Sequence, residues 1–139
     1  MNYFSSNSKW YLAELVNEIT VTGDLRNVIH KNLTLVRADG ADEAYQKALA
    51  FGQQAELSYF NPAGQRVQIV FRGLAGLYVI TDELEDGAEI LFEERIGMPR
   101  EDLEKWIKSK GELSVFRSPK PSIGPDYSSG EIMGNPDPK

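Results

Sequence analysis

Cysteine is absent from the 139-residue sequence, which removes disulfide frameworks, thiolate metal sites and cysteine nucleophiles together. A single histidine, His30, excludes any site that needs two imidazoles from one chain. Bases are scarce as well. Fifteen Lys and Arg stand against 21 Asp and Glu, a net charge of −6 and the wrong sign for a general nucleic-acid binder. No run approaches the roughly 18–20 consecutive apolar residues that cross a bilayer, and the mean hydropathy is −0.39. Residues 1–9 lack a basic stretch followed by an apolar one, so no secretory leader is expected and the cytoplasm is the expected compartment.

Catalytic signatures are missing too. There is no Gly-x-Ser-x-Gly, no Gly-x-x-x-x-Gly-Lys-[Ser/Thr] and no Gly-x-Gly-x-x-Gly. Asp82, Asp86, Gly87 and Glu93 fall at positions 1, 5, 6 and 12 of an EF-hand loop, but Leu84 stands where the third-position ligand belongs. The flanks of that loop also read as strands. No catalytic, cofactor-binding or metal-ligating residue is therefore assigned.

What is present is the composition of one ordinary domain, with 41% hydrophobic residues. Lys9–Thr22 alternates, with Tyr11, Ala13, Leu15, Ile19 and Val21 on one parity and Trp10, Leu12, Val16 and Thr20 on the other. The β-branched run Ile19–Thr22, closed by Gly23, favours a long strand over a helix. Residues 23–31 read as a polar loop carrying His30, and residues 32–38 as a second strand. Asp39 is suited to cap the next segment, in which Ala41, Ala44, Tyr45, Ala48 and Leu49 form a helical stripe over residues 41–51. Gly52 is placed to stop that helix.

Residues 56–60 and 65–72 flank Asn61-Pro62-Ala63-Gly64 and predict a hairpin. Further strands are expected at residues 77–80 and 88–95, with Gly73 and Gly76 in a turn before the first of them. Pro99 opens a second helix with Leu103, Trp106 and Ile107 as its apolar stripe, and residues 113–116 predict a last short strand. This order implies an α+β fold: a mainly antiparallel sheet of about five to six strands with two helices packed on one face. Residues 117–139 hold five of the seven prolines, four Ser and three Gly, the composition of a disordered tail. A single domain is expected over residues 1–116.

Four strings in order resemble a small bacterial family known as domain of unknown function 4288. They are Trp10-Tyr11-Leu12-Ala13-Glu14-Leu15-Val16, Asn32-Leu33-Thr34-Leu35-Val36-Arg37-Ala38, Asp42-Glu43-Ala44-Tyr45-Gln46-Lys47-Ala48 and Asp82-Glu83-Leu84-Glu85-Asp86-Gly87-Ala88-Glu89-Ile90. The resemblance spans roughly residues 9–108 and implies a small single-domain α+β protein. It carries no activity or site to transfer.

Charge is distributed unevenly along the chain. Residues 1–81 hold seven acids and seven bases, whereas residues 82–104 hold ten acids against Arg95 and Arg100. The acidity is one block. Such a block is either a solvated face or a patch that steers and docks a basic partner. Trp10 takes the opposite parity to Tyr11, so one of the two rings faces the less covered side of the sheet, where an exposed aromatic marks an interface. The expected function is a non-enzymatic protein-interaction module, immunity- or inhibitor-like in its concrete form. Asp82, Glu83, Glu85, Asp86, Glu89 and Trp10 are its candidate partner-binding residues, with a basic protein or a second copy as partner. The alternative is a small-molecule-binding domain or carboxylate-based enzyme with a pocket between sheet and helices.

Overall fold

A computed structural model describes residues 8–118 and 123–130. Their contacts gather into two compact units, one running to Leu91 and resuming at Gly124, the other comprising Phe92–Ile123.

The first unit is built on strand β1, Lys9–Val21, which pairs on one side from Lys9 to Ile19 and on the other from Trp10 to Val21. Strand β2, Val28–Ala38, flanks it on one side and β4, Arg66–Ile80, on the other. β3, Leu57–Phe60, forms the far edge, giving an antiparallel sheet in the order β2-β1-β4-β3. Helix α1, Ala41–Gln54, crosses between β2 and β3 and packs on β1, β2 and β4.

The covered face carries two apolar clusters. Tyr11, Ala13 and Leu15 meet Val36, Ala38 and the α1 residues Ala44 and Ala48, with Phe71, Leu74 and Leu77 packed alongside. Toward the other end of β1, Ile19, Val21 and Val67 form the second cluster with Val28, Tyr59 and Ile69. Between the two sits Asn17, 3% exposed, its Oδ1 without a hydrogen-bond partner among the described residues.

The sheet has four strands, not five to six. Two of the expected strands are one: β4 runs unbroken through Gly73 and Gly76, where the sequence predicts a turn. Its register against β1 slips where Ala75 and again where Arg72 is left over, and Gly73 takes φ +139° at the second slip. Each bulge absorbs one extra residue and flips the side-chain alternation. Two in succession restore it, so Leu77, Leu74, Phe71, Ile69 and Val67 all remain on the covered face. The expected strand at residues 88–95 is irregular chain, and residues 114–116 form a 3₁₀ turn.

Three further expectations shift. His30 lies within β2, not in a loop, because β1 is long enough to pair Ile19 with Val28 and Asn17 with His30. Gly40 rather than Asp39 occupies the α1 N-cap; the Asp39 amide instead donates to the Glu43 carboxylate at 2.6 Å. Gly52 does not end α1, which continues to Gln54. A Cβ built on Gly52 would stand 2.4 Å from the Phe71 ring, so glycine there permits close helix–sheet approach.

Only α1 belongs to the unit that holds the sheet. α2, Arg100–Trp106, takes Pro99 as its N-cap and not as the first helical residue expected. It lies in the second unit and buries none of its residues, so the expected pair of helices on one sheet face is not a feature of the first unit. Within that unit the Arg95 guanidinium lies 5.6 Å from the centre of the Trp106 ring, and two 3₁₀ turns follow α2.

Of the expected tail, residues 119–122 and 131–139 lie outside the described residues. Residues 124–130 belong to the first unit and lie on the β3–β4 hairpin, with Pro125 buried. The Asn61 Nδ2 donates to the carbonyl of Asp126 at 2.9 Å, and the Tyr59 hydroxyl donates to that of Tyr127.

Candidate functional site

The face of the sheet opposite α1 carries no helix of the first unit among the described residues. It takes the even positions of β1 with their neighbours, pairing Leu12 with Leu35 and Tyr78, and Glu18 with Ile29 and Val70. Ile29, Leu33, Leu35 and Tyr78 are exposed on it, Leu33 to 63%. Ion pairs are interleaved with these side chains. Arg72 Nη2 lies 2.8 Å from Glu18 Oε1, and Asn27 Nδ2 donates to Glu18 Oε2 at 2.7 Å. The hydrogen bonds from Asn27 and Arg72 hold the Glu18 carboxyl below its ordinary pKa.

Trp10 sits at one end of this face, opposite Arg37 on β2 and Ile80 on β4. The Arg37 guanidinium lies 5.5 Å from the centre of its ring and donates through Nε to Ser8 Oγ at 2.8 Å. Contact of this kind holds the indole, which is half-buried and not fully exposed as an interface aromatic is expected to be. Beyond Ile80 the chain leaves the sheet through Thr81 into Asp82 and Glu83. A cleft of about 380 Å³ opens there, lined by Trp10, Val79, Ile80, Asp82 and Glu83 among others.

The acidic loop has its own internal order. Asp82 Oδ2 accepts from the Glu89 amide at 3.1 Å. The Ala88 amide donates to the Glu85 carbonyl at 2.9 Å, closing a turn in which Gly87 takes φ +90°. All five acids of residues 82–91 are exposed, and no base lies among those ten residues.

Three of the six candidate residues, Trp10, Asp82 and Glu83, thus line one cleft. Glu85, Asp86 and Glu89 follow on the same loop without lining it. The acidic block as a whole is divided: Glu93, Glu94, Glu101, Asp102 and Glu104 belong to the second unit. The continuous patch expected over residues 82–104 is, in the unit that holds the sheet, the loop of residues 82–91. Asn17, Tyr59 and Asn61 were missed as residues of interest. Asn61 was legible only as a turn former, because its partner Asp126 is 65 positions away.

Among the described residues no cluster of three or more His, Cys, Asp or Glu could hold a metal ion. No helix among them is long and apolar enough to cross a membrane.

A four-stranded antiparallel sheet, one covering helix and an acidic loop closing one end define a small α+β domain. The chain belongs to the family described as Domain of unknown function (DUF4288), which matches it over residues 10–92. The match begins in β1 and ends within one residue of the first unit's break at Leu91, short of the 9–108 expected. No curated protein and no solved structure matches the chain.

Proposed function

We propose that this domain is a non-enzymatic protein-interaction module that docks a basic segment of a protein partner at the Trp10 cleft. The observation that carries the reading is the junction of apolar and acidic groups there: Trp10, Val79 and Ile80 beside Asp82 and Glu83 around one cleft of about 380 Å³. An aromatic anchor with adjacent carboxylates suits a segment that presents an apolar side chain next to Arg or Lys. Glu85, Asp86 and Glu89 add local negative potential that raises the encounter rate of such a segment. An inhibitor of a basic effector protein is the concrete form of this module.

The geometry of α1 favours this over a small-molecule site between sheet and helix. Ala44 and Ala48 are fully buried against the sheet and Gly52 meets Phe71, while no α1 residue lines the Trp10 cleft.

The test uses a peptide alternating leucine and arginine, with one alternating leucine and glutamate as its control. Its association rate is measured with the unaltered chain and with the variant Asp82→Asn, Glu83→Gln, Glu85→Gln, Asp86→Asn. Steering of this kind contributes about 10-fold or more to the rate at low salt and fades as the screening length shrinks. The variant is expected to associate at least about 10-fold more slowly and to lose its salt dependence. An equal rate for the two chains, or equal binding of the glutamate peptide, refutes the reading.

A further inference from the structure

The second apolar cluster lies beyond the α1 residues that cover the first, and this chain's own segment Gly124–Gly130 lies beside it. We infer that the groove formed by the β3–β4 hairpin and β2 is a peptide-binding site, filled in cis by Gly124–Gly130, and that it takes segments that place an aromatic residue two positions after a proline. The site is independent of the Trp10 cleft, which lies at the opposite end of β1.

Three features give it the character of a built peptide site. Side chains of the hairpin read main-chain carbonyls: Asn61 of the turn donates to that of Asp126 at 2.9 Å and Tyr59 of β3 to that of Tyr127. Asn61 is itself only 3% exposed and held rigidly. Its Oδ1 accepts from the Gln65 amide at 2.8 Å, and its Nδ2 also reaches Gln65 Oε1 at 3.0 Å. Recognition through carbonyls accepts any backbone in this conformation, so selection falls to the side chains. Pro125 is buried, and the Tyr127 ring meets His30 edge to face with centroids 5.6 Å apart. A buried proline and an aromatic two positions later are what the groove selects, since the Asp126 carboxylate between them accepts from Ser128 within the segment itself.

The cis segment does not exhaust the space. A cleft of about 810 Å³ continues along Ser58, Phe60 and Pro62 to Ser129 and Gly130. Phe60 is 63% exposed beside it. Residues 124–130 also lie outside the stretch that the family shares, residues 10–92. The groove therefore lies within the matched stretch and its occupant outside it.

The experiment uses the full chain and a fluorescently labelled peptide of the sequence of residues 123–130. The variant Pro125→Ala, Tyr127→Ala releases the cis segment without touching the groove. It is expected to bind the labelled peptide at least ten-fold more tightly than the unaltered chain, and adding Asn61→Ala is expected to abolish that binding. Peptide carrying the same two alanines is expected not to compete. Equal binding to the unaltered and released chains, or binding to neither, overturns the proposal. So does an unaltered chain that runs at twice its mass until its tail is released, since the segment would then join two copies. If the double variant fails to fold, Tyr59→Phe keeps the ring in the second cluster and removes the bond to Tyr127. Faster hydrogen exchange of the amides at residues 126–128 is then expected, and unchanged exchange overturns the proposal.

Discussion

Substituting Gly52 with alanine separates intrinsic helix preference from the packing that seats α1 on the sheet. In an exposed helix interior the change stabilises by about 1 kcal/mol, because glycine loses more backbone freedom on folding. Here the new Cβ would lie 2.4–2.5 Å from three atoms of the Phe71 ring. Normal carbon contact needs about 3.5–4.0 Å, so ring or helix must move by more than an ångström. Phe71 is half-buried and packs on the first cluster, so its ring cannot move that far without giving up part of that contact. Overpacking of this kind costs about 1–3 kcal/mol. The net expectation is a loss of about 1 kcal/mol, read as a fall in melting temperature of about 4–8 °C for a unit of this size. Thermal unfolding followed by circular dichroism measures it. In a Phe71→Ala background the same glycine substitution is expected to become stabilising, since the obstacle is gone. A Gly52→Ala chain more stable than the parent by about 1 kcal/mol, the value from propensity alone, refutes the close approach.

Other outcomes follow from single side chains. Asn17→Leu removes a buried carbonyl oxygen left without a partner and is expected to raise stability by about 1–3 kcal/mol in denaturant unfolding; a loss would mean that Oδ1 is satisfied. Glu18 has a carboxyl pKa held below its ordinary 4.5 by Asn27 and Arg72, so its contribution is present above that value and is lost as pH falls through the folded one. Glu18→Gln is therefore expected to lower the melting temperature near neutral pH and to flatten its decline on acidification. Parallel curves for the two chains would contradict this. Burial, with Tyr127 and Asp126 nearby, pushes the Tyr59 hydroxyl above 10.0. Its contribution is complete below that pH and is lost as pH rises through the folded value, so in an ultraviolet titration one of the six tyrosines is expected to ionise late. Tyr59→Phe should remove that late phase.

How far the fold was legible in the sequence depended on whether an element was decided locally. β1, α1 and the Asn61–Gly64 turn were, since alternation, a helical stripe and turn chemistry each act within a dozen residues. β4 was not, because Gly73 and Gly76 read as punctuation until β1 lies beside them and absorbs two bulges. Gly52 misled in the same way: a glycine that normally stops a helix here makes room for Phe71, 19 positions on. At the candidate site the local charge count located residues 82–91, and parity pointed to Trp10. Their meeting was invisible because it rests on the pairing of Trp10 with Ile80. The hairpin groove was hidden more deeply still, since its contacts join Asn61 to Asp126 across the whole second unit.

Fluorescence of Trp10 reports most directly on the central proposal. Trp106→Phe leaves Trp10 as the sole tryptophan of the chain, so its emission follows the cleft alone. Titration with the leucine–arginine peptide should change that emission saturably, with affinity falling as the screening length drops from about 10 Å at 0.1 M salt to about 3 Å at 1 M. An emission that does not respond, or a response indifferent to salt and unchanged in the Asp82, Glu83, Glu85, Asp86 variant, would contradict a docking site at this cleft.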